Sequence, residues 1–531
     1  MYDGTGAAGV RADIGLRKDR IARIGDLSGA KAESTIDARD MAVAPGFINM
    51  LSQATLTFLH DGRSEGDIRQ GVTLEMLGEG MSMGPLNDAL KQEASGWLKE
   101  YGLTVDWTTL EQYMQRIERQ GVSPNIASFV GATTLRLHEI GFENRAATPA
   151  ELERMQALVR QAMEGGAFGV TSAVQYAPAV YANTDELVAL ARAAAPYGGI
   201  YISHMRDEDD YLLDSIGELI EVARRAGVPA EIYHFKAFGK PNWQRLGPAI
   251  GKIEAARAAG LKITADMYPY TAAFTGLDIT MPPWVQEGGN DAWIARLKDP
   301  ATRARVIREM RDPPQGWSSA LRNAGSPDKL LILGTRNPQL RRYVGKTVGD
   351  VAREREISAE DAIVDLVIED GSRLQVAYFA MSEDNVRRQI ALPWVSFGSD
   401  GDSISAEGKA LESSTHPRDY GTFARVLGKY VREEKVITLP EAVRKLSGLP
   451  AANLGLRDRG TLREGNYADI VVFDPATIAD QATFENPHQY ARGVRDVLVN
   501  GTPVLRGGAH TGAMPGRYIR HQTAAVAREG R

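Results

Sequence analysis

The chain has 531 residues, 43% hydrophobic and 24% charged, a composition that can bury a large core and that disfavours wholesale disorder. Its formal net charge of -6 lacks the basic excess of a nucleic-acid binder, so small molecules are the expected partners. No cysteine occurs, which excludes disulfides, thiolate metal ligands and cysteine nucleophiles.

The first forty-odd residues read as short strands broken by Gly and Asp, at 11–17, 20–24, 35–36 and 41–43, which is a small β unit. The start, Met1-Tyr2-Asp3-Gly4-Thr5-Gly6, has neither the basic nor the apolar region of a signal peptide, and no apolar run is long enough to span a bilayer. As written the chain reads as cytoplasmic, with no membrane partner. From residue 44 the pattern changes to apolar strands alternating with helical stretches such as 149–165 and 184–197, which implies βαβ units and a parallel sheet. Eight strands are expected, at 44–50, 71–79, 125–132, 167–174, 199–206, 230–238, 262–270 and 394–400. The interval 271–393 is too long for one crossover and carries Pro282-Pro283-Trp284, Gly288-Gly289 and Asp312-Pro313-Pro314, so an inserted subdomain or lid is expected there. Strand-like text returns at 468–473 and 494–504, with Asn500-Gly501 as a hairpin turn, and these strands are expected to pair with the N-terminal ones. The Gly-, Ala- and Arg-rich tail from His510 is expected to be poorly ordered.

Three of the apolar runs end on candidate metal ligands: His204 in Tyr-Ile-Ser-His-Met-Arg-Asp-Glu, His234 in Ala-Glu-Ile-Tyr-His-Phe-Lys, and Asp400 in Trp-Val-Ser-Phe-Gly-Ser-Asp-Gly-Asp. Each histidine alone is as readily a core residue. Together, at matching strand ends, they converge if the strands form one parallel barrel. Glu79, closing the second strand, completes a set of two imidazoles and two carboxylates that suits zinc; by itself Gly78-Glu79-Gly80 is also a plain turn. Side chains two apart share a strand face, which groups His204 with Arg206, His234 with Lys236, and Asp266 with Tyr268. Gly80-Met-Ser-Met-Gly84 matches a nucleophile elbow in letters only, and Ser82 reads as a turn residue. Of the other histidines, mostly surface or turn residues, His416 alone is placed to reach the site.

These residues add up to a resemblance. Ala44-Pro-Gly-Phe-Ile48, Gln70-Gly-Val-Thr73, His204-Met-Arg-Asp-Glu208, Tyr268-Pro-Tyr270, Gly398-Ser-Asp400, His416-Pro-Arg-Asp-Tyr-Gly-Thr-Phe423 and Arg459-Gly-Thr-Leu-Arg-Glu-Gly-Asn-Tyr-Ala-Asp469 resemble the N-acyl-D-amino-acid deacylase (D-aminoacylase) family of amidohydrolases, over nearly the whole chain. The resemblance implies an α/β fold with a (β/α)8 TIM-like barrel at 46–454, an insertion within about 275–375, a small β-sandwich domain from 1–45 and 455–510, and a tail at 511–531. It also implies zinc-dependent hydrolysis of an N-acyl-D-amino acid, with Glu79, His204 and His234 as metal ligands and Asp400 as catalytic base and acid. Lys236 and Tyr268 would hold the substrate carboxylate, with Arg206 beside them. Another cyclic-amide or dipeptide hydrolase, or a non-catalytic barrel, is the alternative.

Three departures from the family pattern matter. Leu51-Ser52-Gln53 stands where the family has His-x-His, so one Zn2+ per chain is expected and not two. Glu79-Gly80-Met81-Ser82 stands where many members have a zinc-ligating cysteine, and glutamate ligates through oxygen instead. Members also carry a strand before Tyr2, so a segment lost upstream would make the protein secreted or periplasmic. Homo-oligomerisation is left open.

Overall fold

The computed structural model describes residues 1–522, an α/β protein; positions 523–531 of the expected tail lie outside the described residues. Strands β1 (Asp13–Arg17) and β2 (Arg20–Gly25) form an antiparallel hairpin, and β3 (Ala42–Pro45) precedes β4 (Phe47–Asn49). The single strand expected at 44–50 is therefore two. Gly46 lies between them, where a Cβ would come within 2.1 Å of Thr73 Oγ1, so only glycine lets the chain change sheets this close to its neighbour.

Next come β5 (Val72–Leu77), helix α1 (Asp88–Leu98), β6 (Asn125–Ser128) and β7 (Val130–Gly131), followed by α2 (Pro149–Glu164). Helix α2 starts where it does because Thr148 and Glu151 make a reciprocal capping box and Pro149 pre-sets the first helical φ. Then β8 (Gly169–Ala173), α3 (Thr184–Ala194), β9 (Ile200–His204), α4 (Leu212–Ala226), β10 (Ala230–Ile232) and β11 (Ile263–Met267) continue the alternation. Strands β4, β5 and β6 make one parallel sheet. Strands β7 to β11 make a second, and β15 (Val395–Phe397) joins it beside β11. Backbone bonds connect the two sheets on both sides: Phe129 N donates to Leu77 O at 3.0 Å, and Met50 N to Phe397 O at 3.2 Å.

The long interval before β15 holds β12 (Ala273–Thr275), β13 (Leu330–Gly334) and β14 (Gln375–Tyr378), an antiparallel sheet with its own apolar cluster that includes Leu277, Trp293, Tyr343 and Tyr378. After β15, helix α5 (Arg418–Arg425) leads towards β16 (Ile470–Phe473), β17 (Val494–Val499), β18 (Thr502–Arg506) and β19 (Ala509–His510). These four and β3 form one antiparallel sheet, so both ends of the chain share it. Phe47 of β4 lies between Phe423 of α5 (centroids 6.4 Å apart) and Phe473 of β16 (6.2 Å), burying all three rings at the junction.

The poorly ordered tail needs correction up to residue 522. Gly516 N donates to Val122 O at 2.8 Å and Ile519 N to Ile126 O at 2.8 Å, so this stretch runs beside β6 and is held by backbone bonds. No helix among the described residues is long and apolar enough to cross a membrane.

Candidate metal and substrate site

The residues singled out as site candidates lie at or just past the ends of their strands. Strand β5 stops at Leu77, two residues before Glu79; β9 ends on His204 itself; β10 stops at Ile232, before His234; β11 stops at Met267, before Tyr268; and β15 stops at Phe397, before Asp400. His234 (φ 35°) and Asp400 (φ 52°) both occupy the left-handed region, a conformation that costs a non-glycine residue on the order of 1–3 kcal/mol and persists where the surroundings enforce it. For His234 that enforcement includes its own N–H, which donates to Asp266 Oδ1 at 2.9 Å.

Glu79, His204 and His234 come together: one ligand atom of each lies within 4.8 Å of the other two. His234 Nε2 is 2.9 Å from Glu79 Oε1, and His204 Nδ1 is 3.1 Å from the same oxygen. The other nitrogen of each ring is also engaged, His204 Nε2 with Gln175 Oε1 at 2.6 Å and His234 Nδ1 with Lys236 Nζ at 2.7 Å and, as an ion-pair distance, Glu208 Oε1 at 3.1 Å. A proton on His204 Nε2, donated to Gln175, leaves its Nδ1 lone pair facing the Glu79 carboxylate, which is how a metal-ligating imidazole is oriented. Two imidazole nitrogens and a carboxylate oxygen form a donor set that fits zinc.

The electrostatics run in opposite senses on the two rings. Burial and Lys236 push His234 down, but the Glu208 and Glu79 carboxylates outweigh them and take it up to about 10. His204 is lowered, by burial and by His234. Burial would raise Glu79, yet the hydrogen bonds and charges of the two histidines hold its carboxyl well below the usual range.

Asp400 adjoins this triad through Gln53, whose Nε2 donates to Asp400 Oδ1 at 2.9 Å and also to Glu79 Oε2. Its other oxygen lies 2.7 Å from Arg418 Nη1. This is an ion pair without a directed hydrogen bond, because Nη1 finds no aligned acceptor. Lys236 is 5% exposed and is held at 2.7 Å from both oxygens of Glu208. Tyr268 lines the same cavity, of about 870 Å3, with Arg418 4.7 Å from its ring centroid.

Arg206 is not brought to this cavity. The chain leaves the strand after His204, so the face-sharing rule no longer applies, and the Arg206 guanidinium is taken by Glu218 (2.9 Å) and the carbonyls of Val180 and Ala182 (2.9 Å each). It lines a separate pocket. His416 also stays out of the cavity: it is fully buried, between Ala272 O (3.0 Å) and Arg418 N (3.0 Å). Arg418, two residues on, is the member of that motif that reaches Asp400. Ser82 is a turn residue, donating to Gly84 O at 2.6 Å and accepting from Gly131 N.

Comparison with known proteins settles the family. The amidohydrolase family model matches residues 384–505. A D-aminoacylase of Alcaligenes xylosoxydans xylosoxydans is 34% identical over 529 residues, covering 99% of this chain and 96% of its own. This chain belongs to the D-aminoacylase family of amidohydrolases. An N-acyl-D-glutamate deacylase of Bordetella bronchiseptica, solved with zinc and a phosphonate mimic of the tetrahedral intermediate, is 31% identical with a TM-score of 0.81, covering 98% of this chain and 97% of its own. A D-aminoacylase structure in which a binuclear metal centre shows one-metal activation and second-metal attenuation is 32% identical, with a TM-score of 0.79 and 98% of both chains covered. Solved members of the D-aminoacylase family thus carry zinc or other metals, and this chain presents a triad suited to one.

Sequence reasoning missed Gln53, Gln175 and Arg418 as parts of the site, and also Arg373. Arg373 projects from the insertion into the cavity, where its Nη2 donates to Thr275 Oγ1 at 2.6 Å and its Nε lies 3.0 Å from Asp278. Glu208, as the acid closing the His204 motif, and Arg418, inside the His416 motif, carried a signal.

Proposed function

We propose that the protein hydrolyses the amide bond of N-acyl-D-amino acids at a site holding one zinc ion, giving a carboxylate and a D-amino acid. The observation that carries this reading is the convergence of His204 Nδ1 and His234 Nε2 on Glu79 inside a cavity at the strands' C-terminal ends. Relatives named D-aminoacylase, N-acyl-D-glutamate deacylase and N-acyl-D-aspartate deacylase, matching 98% or more of the chain, support the substrate class. In this reading the two sheets close as a (β/α)8 barrel over 46–454, beside a β-sandwich of 1–45 and 455–510, with the insertion within 275–375 supplying part of the cavity wall.

Glu79, His204 and His234 would hold a zinc ion, which would supply Lewis-acid polarisation of the acyl carbonyl and of the attacking water. Asp400 takes the proton from the attacking water and delivers it to the leaving amine, with Arg418 Nη1 2.7 Å from its second oxygen. Glu208 and Gln175 fix the ring orientations of the ligands. Tyr268 and Lys236 stay in the substrate-binding role, Lys236 by sharing its charge with Glu208, and Arg373 takes the place first assigned to Arg206 as the cation facing the substrate carboxylate. A single metal is favoured because the Gln53 amide, standing where the family motif has its second histidine, already bridges Asp400 and Glu79. Hydrolysis of N-acetyl-D- against N-acetyl-L-amino acids is the test; the D series should be preferred by at least about a hundredfold, a ratio reachable by pocket discrimination, and equal rates would remove the stereochemical claim.

A further inference from the structure

The cavity is larger than the reaction needs. At about 870 Å3 it lies near the top of the ~300–1,000 Å3 range of pockets that enclose drug-sized ligands, and an N-acetyl amino acid of about a dozen heavy atoms cannot fill it. Its wall is also uneven in chemistry. The insertion contributes Arg336 and Arg373 among its lining residues, whereas the segments following β4 and β5 contribute, beyond Gln53 and the metal-site Glu79, the uncharged Leu56, Met81, Gly96 and Tyr101.

Among the described residues few large apolar side chains are left exposed, and two of them, Met81 (45% exposed) and Tyr101 (40%), line this one cavity. Tyr101 is held in place there, stacked on His60 with ring centroids 4.5 Å apart and with Lys409 Nζ 4.7 Å from its centroid. Exposed apolar side chains gathered at a cavity with a polar rim mark a ligand surface. Gly96 is an independent indication. It sits inside helix α1, where glycine weakens the helix relative to alanine, yet no left-handed φ requires it and, among the described residues, a Cβ there would meet nothing within 4 Å. Packing against the described residues does not demand this glycine. What it leaves is open space on the cavity wall.

We infer that Leu56, Met81, Gly96 and Tyr101 form a subsite for an extended apolar acyl group, so that the preferred substrates are N-acyl-D-amino acids with medium-length or longer acyl chains. The inference rests on the deacylase reading above, which fixes that the substrate has an acyl side at all. Each methylene buried against such a wall adds to transition-state binding, less than the full-burial limit because the wall is open to solvent.

The test compares kcat/KM for N-acetyl-, N-butanoyl- and N-octanoyl-D-leucine in the wild type and in Gly96→Leu and Met81→Ser. The wild type should favour octanoyl over acetyl by at least about tenfold, and both variants should bring that ratio to about threefold or less. Because Met81 lies two residues from Glu79, the ratio is read and not the absolute rate. Gly96→Ala serves as the folding control and should melt no lower than the wild type. A flat or falling wild-type series, or a rising one that neither variant changes, overturns the subsite. If no D-leucine derivative is hydrolysed, calorimetry separates the two claims: tighter binding of N-octanoyl- than N-acetyl-D-leucine, lost in Gly96→Leu, retains the subsite while the hydrolase reading falls, and equal binding removes the subsite as well.

Discussion

Ser52 and Gln53 are consecutive, and their side chains reach two different kinds of buried carboxylate. Gln53 points to Glu79 and Asp400, where each acid also meets a cationic or ionisable partner: His204 and His234 at Glu79, Arg418 at Asp400, with Lys236 doing the same for Glu208 nearby. Ser52 points inward to Glu75, which is fully buried and accepts only from the hydroxyls of Ser52, Ser64 and Ser403. Asp67, also fully buried, accepts from Asn49 at 2.7 Å and leaves its second oxygen without a partner. Burial raises both inner carboxyls, and the Glu75 charge raises Asp67 further, while Glu79 is held low by its histidines. Two layers of one protein thus differ by partner: the histidines hold Glu79 low against its burial, whereas the hydroxyl and amide partners of Glu75 and Asp67 offset burial only in part.

The sharpest way to break this contrast is to remove a cationic partner. His234→Ala leaves one imidazole and one carboxylate, too few strong donors for zinc, so metal and turnover should be lost together; loss of a mere outer-shell partner costs about 10- to 100-fold, and loss of a ligand should exceed that. Metal analysis beside an activity assay reads both. Asp400→Asn separates the two functions. The amide keeps its size and still accepts from Gln53, but it cannot act as a base, so zinc should stay while kcat falls by roughly 10²- to 10⁴-fold. Near-normal turnover with zinc bound would make Asp400 structural.

The smallest effect lies in the inner layer. A carboxyl raised on folding binds more protons in the native than in the unfolded state, so its contribution to stability falls as pH climbs from the unfolded value of about 3.9 towards the folded one. Asp67→Asn removes that dependence for this residue. The variant should therefore gain stability over the wild type by on the order of 1 kcal/mol at pH 8 and by less at pH 5. Urea denaturation at the two pH values checks the sign, and a loss at pH 8 would mean that the Asp67 charge is compensated.

How much of this was legible before folding depended on distance along the chain. That His204 and Asp400 stand near strand ends, and that the two chain ends pair, could be read from apolar runs and turn signals, although the strands expected to run to 206 and 400 stop at His204 and Phe397. The antiparallel sheet of β3 with β16 to β19 bears out the last of these. Side-chain direction beyond a strand end could not be read. Strand alternation placed Arg206 beside His204 and Lys236 beside His234, yet β9 ends at His204 and β10 at Ile232, so neither pair lies along one strand. The roles of Gln53, Gln175 and Arg418 could not be read for another reason, although Gln53 and Arg418 stood in stretches already singled out: each gains its role from a partner distant in sequence, such as Gln53 with Asp400, and no periodicity in a single sequence encodes such a contact.

The proposed mechanism needs one metal site for hydrolysis, with Gln53 standing where a second set of ligands would be. Removing metal with a chelator and restoring zinc in measured equivalents, while following hydrolysis of an N-acetyl-D-amino acid, tests it directly. Activity should return in proportion and reach its plateau at about one zinc per chain, in keeping with a single three-ligand site. A plateau that requires two equivalents, or full activity in the metal-free protein, would contradict it.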